Sequence, residues 1–175
     1  MAKVLFYDIE TAPNLAYVWG HYDQNVIQQF REWYMMCFSY KWEGTQTTKV
    51  VSLPDFDLYD EDPENDREVV QALWDLIDEA DVVIAHNGNK FDMRKANARF
   101  VAHHMEPPAR PQQVDTLKVA RQYFMFNSNK LGDLGEHLGL GRVRVVEGLH
   151  VGGRKVVAHY EEVRETGCGF VASGV

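Results

Sequence analysis

The sequence predicts an α/β fold: a mixed five-stranded sheet, an antiparallel meander followed by parallel strands, flanked by helices. Three observations predict it. The first three apolar runs, rich in β-branched and aromatic residues, follow one another with turn signals and no strong helical period between them. The later apolar runs alternate with amphipathic helical segments, the pattern of parallel strands joined by crossovers. The length of 175 residues suits one domain with a core of its own. The expectation is a single domain over 1–175, with residues 142–175 of uncertain structure.

Residues 3–7 form a short apolar run that enters an acidic pair and read as the first strand. Residues 34–40 and 47–53 read as the second and third, with Glu43-Gly44-Thr45 as the turn between them. Residues 57–66 are acidic, carry Pro63 and lack apolar period, so they form a loop. It leads to a helix over 67–79, where Val69, Val70, Leu73, Trp74 and Ile77 share one face. Residues 81–86 read as a buried parallel strand, and Asn87-Gly88-Asn89 as a turn that delivers Phe91 and Asp92 to a helix ending near His104. Pro107, Pro108 and Pro111 punctuate a loop, residues 114–117 form an edge strand, and 118–123 continue as helix. Residues 130–138 form a short helix capped by Ser128 or Asn129 and closed by Gly139 and Gly141. Beyond that the signal fades; residues 143–146 can be read as strand and 154–164 as helix.

Charge and composition narrow the class. The formal net charge of −8 speaks against an obligate nucleic-acid binder. Its distribution weakens that objection, because residues 50–81 carry a balance of −11 whereas residues 90–155 carry +6. Cys37 and Cys168 belong to no paired metal or redox pattern and read as reduced thiols. No leader-like segment opens the sequence, and no apolar run nears the roughly 18 residues of a membrane span. The expectation is a cytoplasmic protein without a membrane partner.

Asp8 and Glu10, two apart on a strand, project to one face. Both could reach one metal ion, and Mg²⁺ or Mn²⁺ would compensate charges that are costly to bury. The competing view is an exposed strand end with solvated acids. Asp92 supplies a third acid at a helix start, where the macrodipole alone would also favour it. Tyr17, Trp19 and Tyr22 lie in a loop-like stretch after the first strand and could stack on a base or pack in the core. His103-His104 reads as surface rather than ligand.

The runs Phe6-Tyr7-Asp8-Ile9-Glu10-Thr11 and His86-Asn87-Gly88-Asn89-Lys90-Phe91-Asp92 resemble the first two motifs of the DEDD exonuclease superfamily, which includes the proofreading domains of DNA polymerases. The stretch from Asp8 to Gly20 is similar to small stand-alone, often phage-encoded, predicted exonucleases of the ribonuclease-H-like class. Val114-Asp115-Thr116-Leu117-Lys118 and Ser128-Asn129-Lys130-Leu131 extend the resemblance over roughly the first 140 residues. It implies a ribonuclease-H-like fold and a two-metal 3′→5′ exonuclease acting on the 3′ end of single-stranded DNA or RNA, in the cytoplasm of the host cell if phage-encoded. Two divalent ions, Mg²⁺ or Mn²⁺, would be bridged by Asp8, with Glu10 on the nucleophile side and Asp92 on the other. Thr11, Asn87, Phe91, Asp115 and Lys130 fall at substrate-binding positions. Asp115 could equally cap a helix, and Lys130 could be simply solvated.

The sequence departs from the family at the last motif, since neither Tyr160 nor His159 precedes an aspartate at the family spacing and no aspartate follows Asp133. Glu161, Glu162 or Glu165 could stand in, and Glu162 is carried as the catalytic candidate. The rival expectation is a catalytically impaired module of the same fold that binds nucleic acid or protein. Oligomeric state is open between monomer and homodimer, with the aromatic-rich stretch 30–40 available to a dimer.

Overall fold

The computed structural model describes residues 1–20, 25–141, 144–151 and 154–160, the last two stretches as backbone only. Tyr22, Glu161, Glu162, Glu165 and Cys168 lie outside the described residues.

The five-stranded sheet expected from the sequence is present. Its strands are β1 (Val4–Thr11), β4 (Met35–Trp42), β5 (Lys49–Ser52), β6 (Val82–Ala85) and β7 (Gln112–Asp115), in the order β5-β4-β1-β6-β7. β4 pairs antiparallel with both β1 and β5, whereas β6 runs parallel to both β1 and β7. β1 is therefore central, hydrogen-bonded on both sides, and Leu5, Tyr7 and Ile9 on one of its faces are buried to 1% exposure or less. They share a core with Phe38 of β4, with Val69, Val70, Leu73 and Ile77 of helix α2 (Arg67–Glu79), and with Met93, Ala96 and Phe100 of helix α3 (Asp92–Ala102). The period-two alternation of β1 thus gives one face to the helices and leaves Asp8 and Glu10 on the other.

Three segments depart from the sequence expectation. The stretch after the first strand is a small two-stranded ribbon, β2 (Leu15–Tyr17) paired with β3 (Gln28–Arg31), rather than a loop. Residues 57–66 contain a single helical turn, α1 (Leu58–Glu61), after a 3₁₀ turn at Leu53–Asp55. Residues 154–160, expected as helix, are strand β9 (Arg154–Tyr160) in an antiparallel hairpin with β8 (Arg144–Val151). The β-branched pair Val156-Val157 fits a strand better than a helix interior, and it pairs with Leu149 and Glu147 across the hairpin. Helices α4 (Thr116–Tyr123) and α5 (Leu131–His137) complete the fold. Among the described residues no helix is long and apolar enough to cross a membrane.

Candidate active site

The ladder between β1 and β6 ends at the Phe6–Ile84 pair, so β1 outruns its parallel neighbour and has an open edge from Tyr7 onward. The chain leaving β6 bends through Asn87, which has a left-handed φ of 66°, and Gly88. A Cβ at Gly88 would lie 2.6 Å from the Cβ of Ala85, so only glycine lets the turn fold this tightly against its strand. The Asn87 carbonyl accepts the N–H groups of Lys90 and Phe91, both at 3.0 Å, and α3 begins at Asp92. Asp92 then fills the open edge, its Oδ1 accepting the Ile9 N–H at 3.1 Å.

That bond places Asp92 between the two acids of β1. Asp8 is 7% exposed and Asp92 1%, and Glu10 is half-buried. Burial, followed by the charges of Asp92 and Glu10, pushes Asp8 up to about 9. Burial and then the Asp92 charge push Glu10 to about 7. Burial pushes Asp92 to about 6, opposed by the N–H of Ile9. Cys37, opposite Glu10 in register, is raised to about 12 by burial first and then by Glu10 and Asp8, so its thiol stays protonated and inert.

The described ion pairs are Lys3–Glu79, Arg31–Glu64, Arg99–Asp66 and His103–Asp66, so among the described residues no basic side chain neutralises this trio. Buried oxygen donors without a counter-charge suit a hard divalent cation. As the side chains stand, among the described residues no group of three or more His, Cys, Asp or Glu is placed to hold a metal ion. Metal binding therefore requires a turn of the side chains.

The expected substrate residues surround this centre unevenly. Thr11 lies beside Glu10 at a β-bulge, where Met36 is left over between the Glu10–Cys37 and Thr11–Met35 pairs. Phe91 precedes Asp92 and is partly buried against the core. Asn87 forms the turn itself. Of the two roles open to Asp115, the hydrogen bonds show the cap: Oδ1 accepts the N–H groups of Leu117 at 3.0 Å and Lys118 at 3.3 Å, and that of Asn87 at 2.9 Å. One buried carboxylate thus caps α4 and fixes the turn that aims Asp92. Lys130 is exposed at the start of α5.

Two structural features escaped the sequence reading. His86 bridges three segments, with Nε2 at 3.0 Å from the Asn129 carbonyl and Nδ1 at 2.9 Å from Thr116 Oγ1. A carbonyl only accepts, so Nε2 carries the hydrogen and the Thr116 hydroxyl donates to Nδ1. Burial lowers the imidazole's pKa, in keeping with that neutral form. The bridge draws the segment of Lys130 toward the strand end that carries the second motif. The other is Asp66, fully buried where an acidic loop was expected; it accepts Met35 N–H and Arg99 Nε, both at 2.7 Å, and His103 Nε2 at 2.6 Å. His103 is therefore largely buried and hydrogen-bonded to Asp66 rather than a surface residue, while His104 is exposed. Tyr17 and Trp19 are 60% and 86% exposed, which rules out core packing for both.

With this geometry established, the chain compares with known proteins as follows. A family model of the RNase_H superfamily matches residues 35–168, about three quarters of the chain; Asp8 and Glu10 precede the matched segment. No curated protein matches it in sequence. Among solved structures it is similar to the family B DNA polymerase from the hyperthermophilic archaeon Pyrobaculum calidifontis, with a TM-score of 0.57 and 16% identity over 81% of this chain. The similarity covers 19% of that chain, so this protein spans about a fifth of the polymerase's length, and the likeness is one of fold.

Proposed function

The chain belongs to the RNase_H superfamily, and on that premise we propose that it is a metal-dependent 3′→5′ exonuclease acting on single-stranded DNA or RNA. The fold and the family support a nuclease in general. The observation that carries the finer reading is the seating of Asp92 on the Ile9 N–H, which brings acids from β1 and α3 together in a buried cluster with no described counter-cation.

Asp8, Glu10 and Asp92 would hold two divalent ions, Mg²⁺ or Mn²⁺, which when bound supply a water of lowered pKa and charge stabilisation for the leaving oxygen. The residues of the chain do the rest. Ile9 N–H with the Asp115-braced turn keeps Asp92 in place. Hydrolysis joins the water oxygen to phosphorus, breaks the bond to the 3′ oxygen of the penultimate nucleotide and protonates that oxygen, releasing a nucleoside 5′-monophosphate. Thr11, Asn87, Phe91 and Lys130 line the approach, and Glu162 is the proposed fourth acid. The protein would act in the cytoplasm, of the host cell if phage-encoded, as monomer or homodimer.

A second reading, a catalytically impaired module that binds nucleic acid or protein, is favoured by the departure from the last family motif. Incubation of 5′-labelled single-stranded DNA and RNA with MnCl₂ separates the two. A ladder shortening from the 3′ end and lost in Asp8→Ala is the expected result; intact substrate with folded protein would replace the exonuclease by the impaired module.

A further inference from the structure

We infer that Lys95 is a phosphate-contacting residue that positions a nucleic-acid strand at the rim of the carboxylate site, an inference that rests on the nuclease reading above. Lys95 lies on α3 one turn beyond Asp92. Its Nζ sits 3.6 Å from the centroid of the Trp33 ring and 5.7 Å from that of Phe91. Trp33 is fixed in turn to the segment that leaves β1: its N–H donates to Asn14 Oδ1 at 2.9 Å, and the neighbouring Tyr34 carbonyl accepts the Ala12 N–H at 2.9 Å. The ammonium therefore lies between Phe91, the residue before Asp92, and Trp33, whose backbone segment is bonded to the residues that follow Thr11.

Its neighbours differ from it in one respect. Arg99, also over the Trp33 ring, is bound to Asp66, and Arg31, over the Tyr34 ring, is paired with Glu64. Lys95 has no carboxylate partner among the described ion pairs and faces only aromatic rings. Ring faces hold an ammonium in place without neutralising it. Lys95 is thus held and directed by ring faces but left without a carboxylate partner among the described ion pairs, as a group that meets a strand phosphate should be. A purely mechanical alternative is that Lys95 staples α3 to the Trp33 loop.

Salt dependence separates the two roles, because each phosphate neutralised on a single strand contributes roughly 0.7 to the slope of log affinity against log salt. The measurement is fluorescence anisotropy of a 5′-fluorescein single-stranded oligothymidylate, titrated with the full chain from 50 to 300 mM NaCl in CaCl₂. Lys95→Gln should bind about tenfold more weakly at the lowest salt, with a slope reduced by about 0.7, and Lys95→Arg should restore the slope. An unchanged slope in Lys95→Gln, with or without a lower melting temperature, overturns the phosphate role and leaves the nuclease reading standing. Absence of binding by the wild-type chain overturns that reading, and this inference with it.

Discussion

Asp92 sits on the backbone of Ile9: a carboxylate oxygen takes the N–H that a longer β6 would have paired. The acid is thus positioned by strand length as much as by its own helix. Asp8 and Glu10 flank the same Ile9, so one truncated ladder gathers all three carboxylates.

This crowding is costly in the absence of metal. Asp8→Asn removes the carboxyl most strongly raised by burial and like charge. The metal-free variant should be more stable than wild type at pH 8 by roughly 1 kcal/mol or more, a few degrees in Tm. It should also lose most of the stabilisation that MnCl₂ gives the wild type. Thermal melts with and without MnCl₂ test both, and a variant less stable than wild type in EDTA would contradict the argument.

The pH profile of the metal-free protein follows from the same groups. A carboxyl whose folded pKa exceeds its unfolded one holds its proton preferentially in the folded state, so stability falls as pH rises between the two values. For Asp8 that window runs from 3.8 to about 9, for Glu10 from 4.5 to about 7, and for Asp92 from 3.8 to about 6. His86 acts in the opposite sense, since its lowered pKa makes the unfolded chain take up the proton first and stability fall as pH drops below 6.5. Three carboxyls outweigh one histidine, so urea midpoints in EDTA should decline from about pH 4.5 toward pH 9, with His86 offsetting only part of the fall below pH 6.5. A midpoint that climbs from pH 6.5 to pH 9 would run against these shifts.

Asp66 is the anchor of a second charged cluster. Replacing it by Ala strips Arg99 and His103 of their partner and leaves the Met35 N–H without its acceptor. A loss of about 3–5 kcal/mol is expected by urea denaturation, because breaking a buried pair from one side leaves its charge uncompensated. A loss below about 1 kcal/mol would show that the cluster is wetter than its burial indicates.

Gly88→Ala forces a methyl into the Cβ of Ala85. Overpacking of this kind costs about 1–3 kcal/mol. The displaced turn should also shift Asp92 from Ile9, so metal-dependent stabilisation should fall by more than the stability loss alone explains. Calorimetric titration of Mn²⁺ into the variant checks this, and wild-type affinity would mean the turn relaxes without moving Asp92.

The parts legible in the sequence were those with a local period. The apolar runs gave the sheet strands, and the face shared by Val69, Leu73 and Ile77 gave α2. The Asp8–Glu10 spacing and the turn before Asp92 located the acids. What the sequence withheld depends on contacts distant along the chain. Asp66 looks like one more acid in an acidic loop until Arg99 and His103, more than thirty residues on, close over it. The roles of His86 and Asp115 follow from hydrogen bonds to segments about thirty residues or more away. The β2–β3 ribbon is short, and its exposed apolar residues carry no alternation that marks a buried face.

That ribbon has a colloidal consequence. Tyr17, Val18, Trp19, Val26, Ile27 and Phe30 all present large apolar side chains to water over a stretch nearly devoid of charge. At neutral pH the net charge of −8 keeps neighbouring molecules apart. Near the isoelectric point of about 5.3 that repulsion vanishes, and contiguous apolar surface favours self-association. The mildly acidic pH at which the raised carboxyls disturb the fold least is thus also where the protein is least soluble.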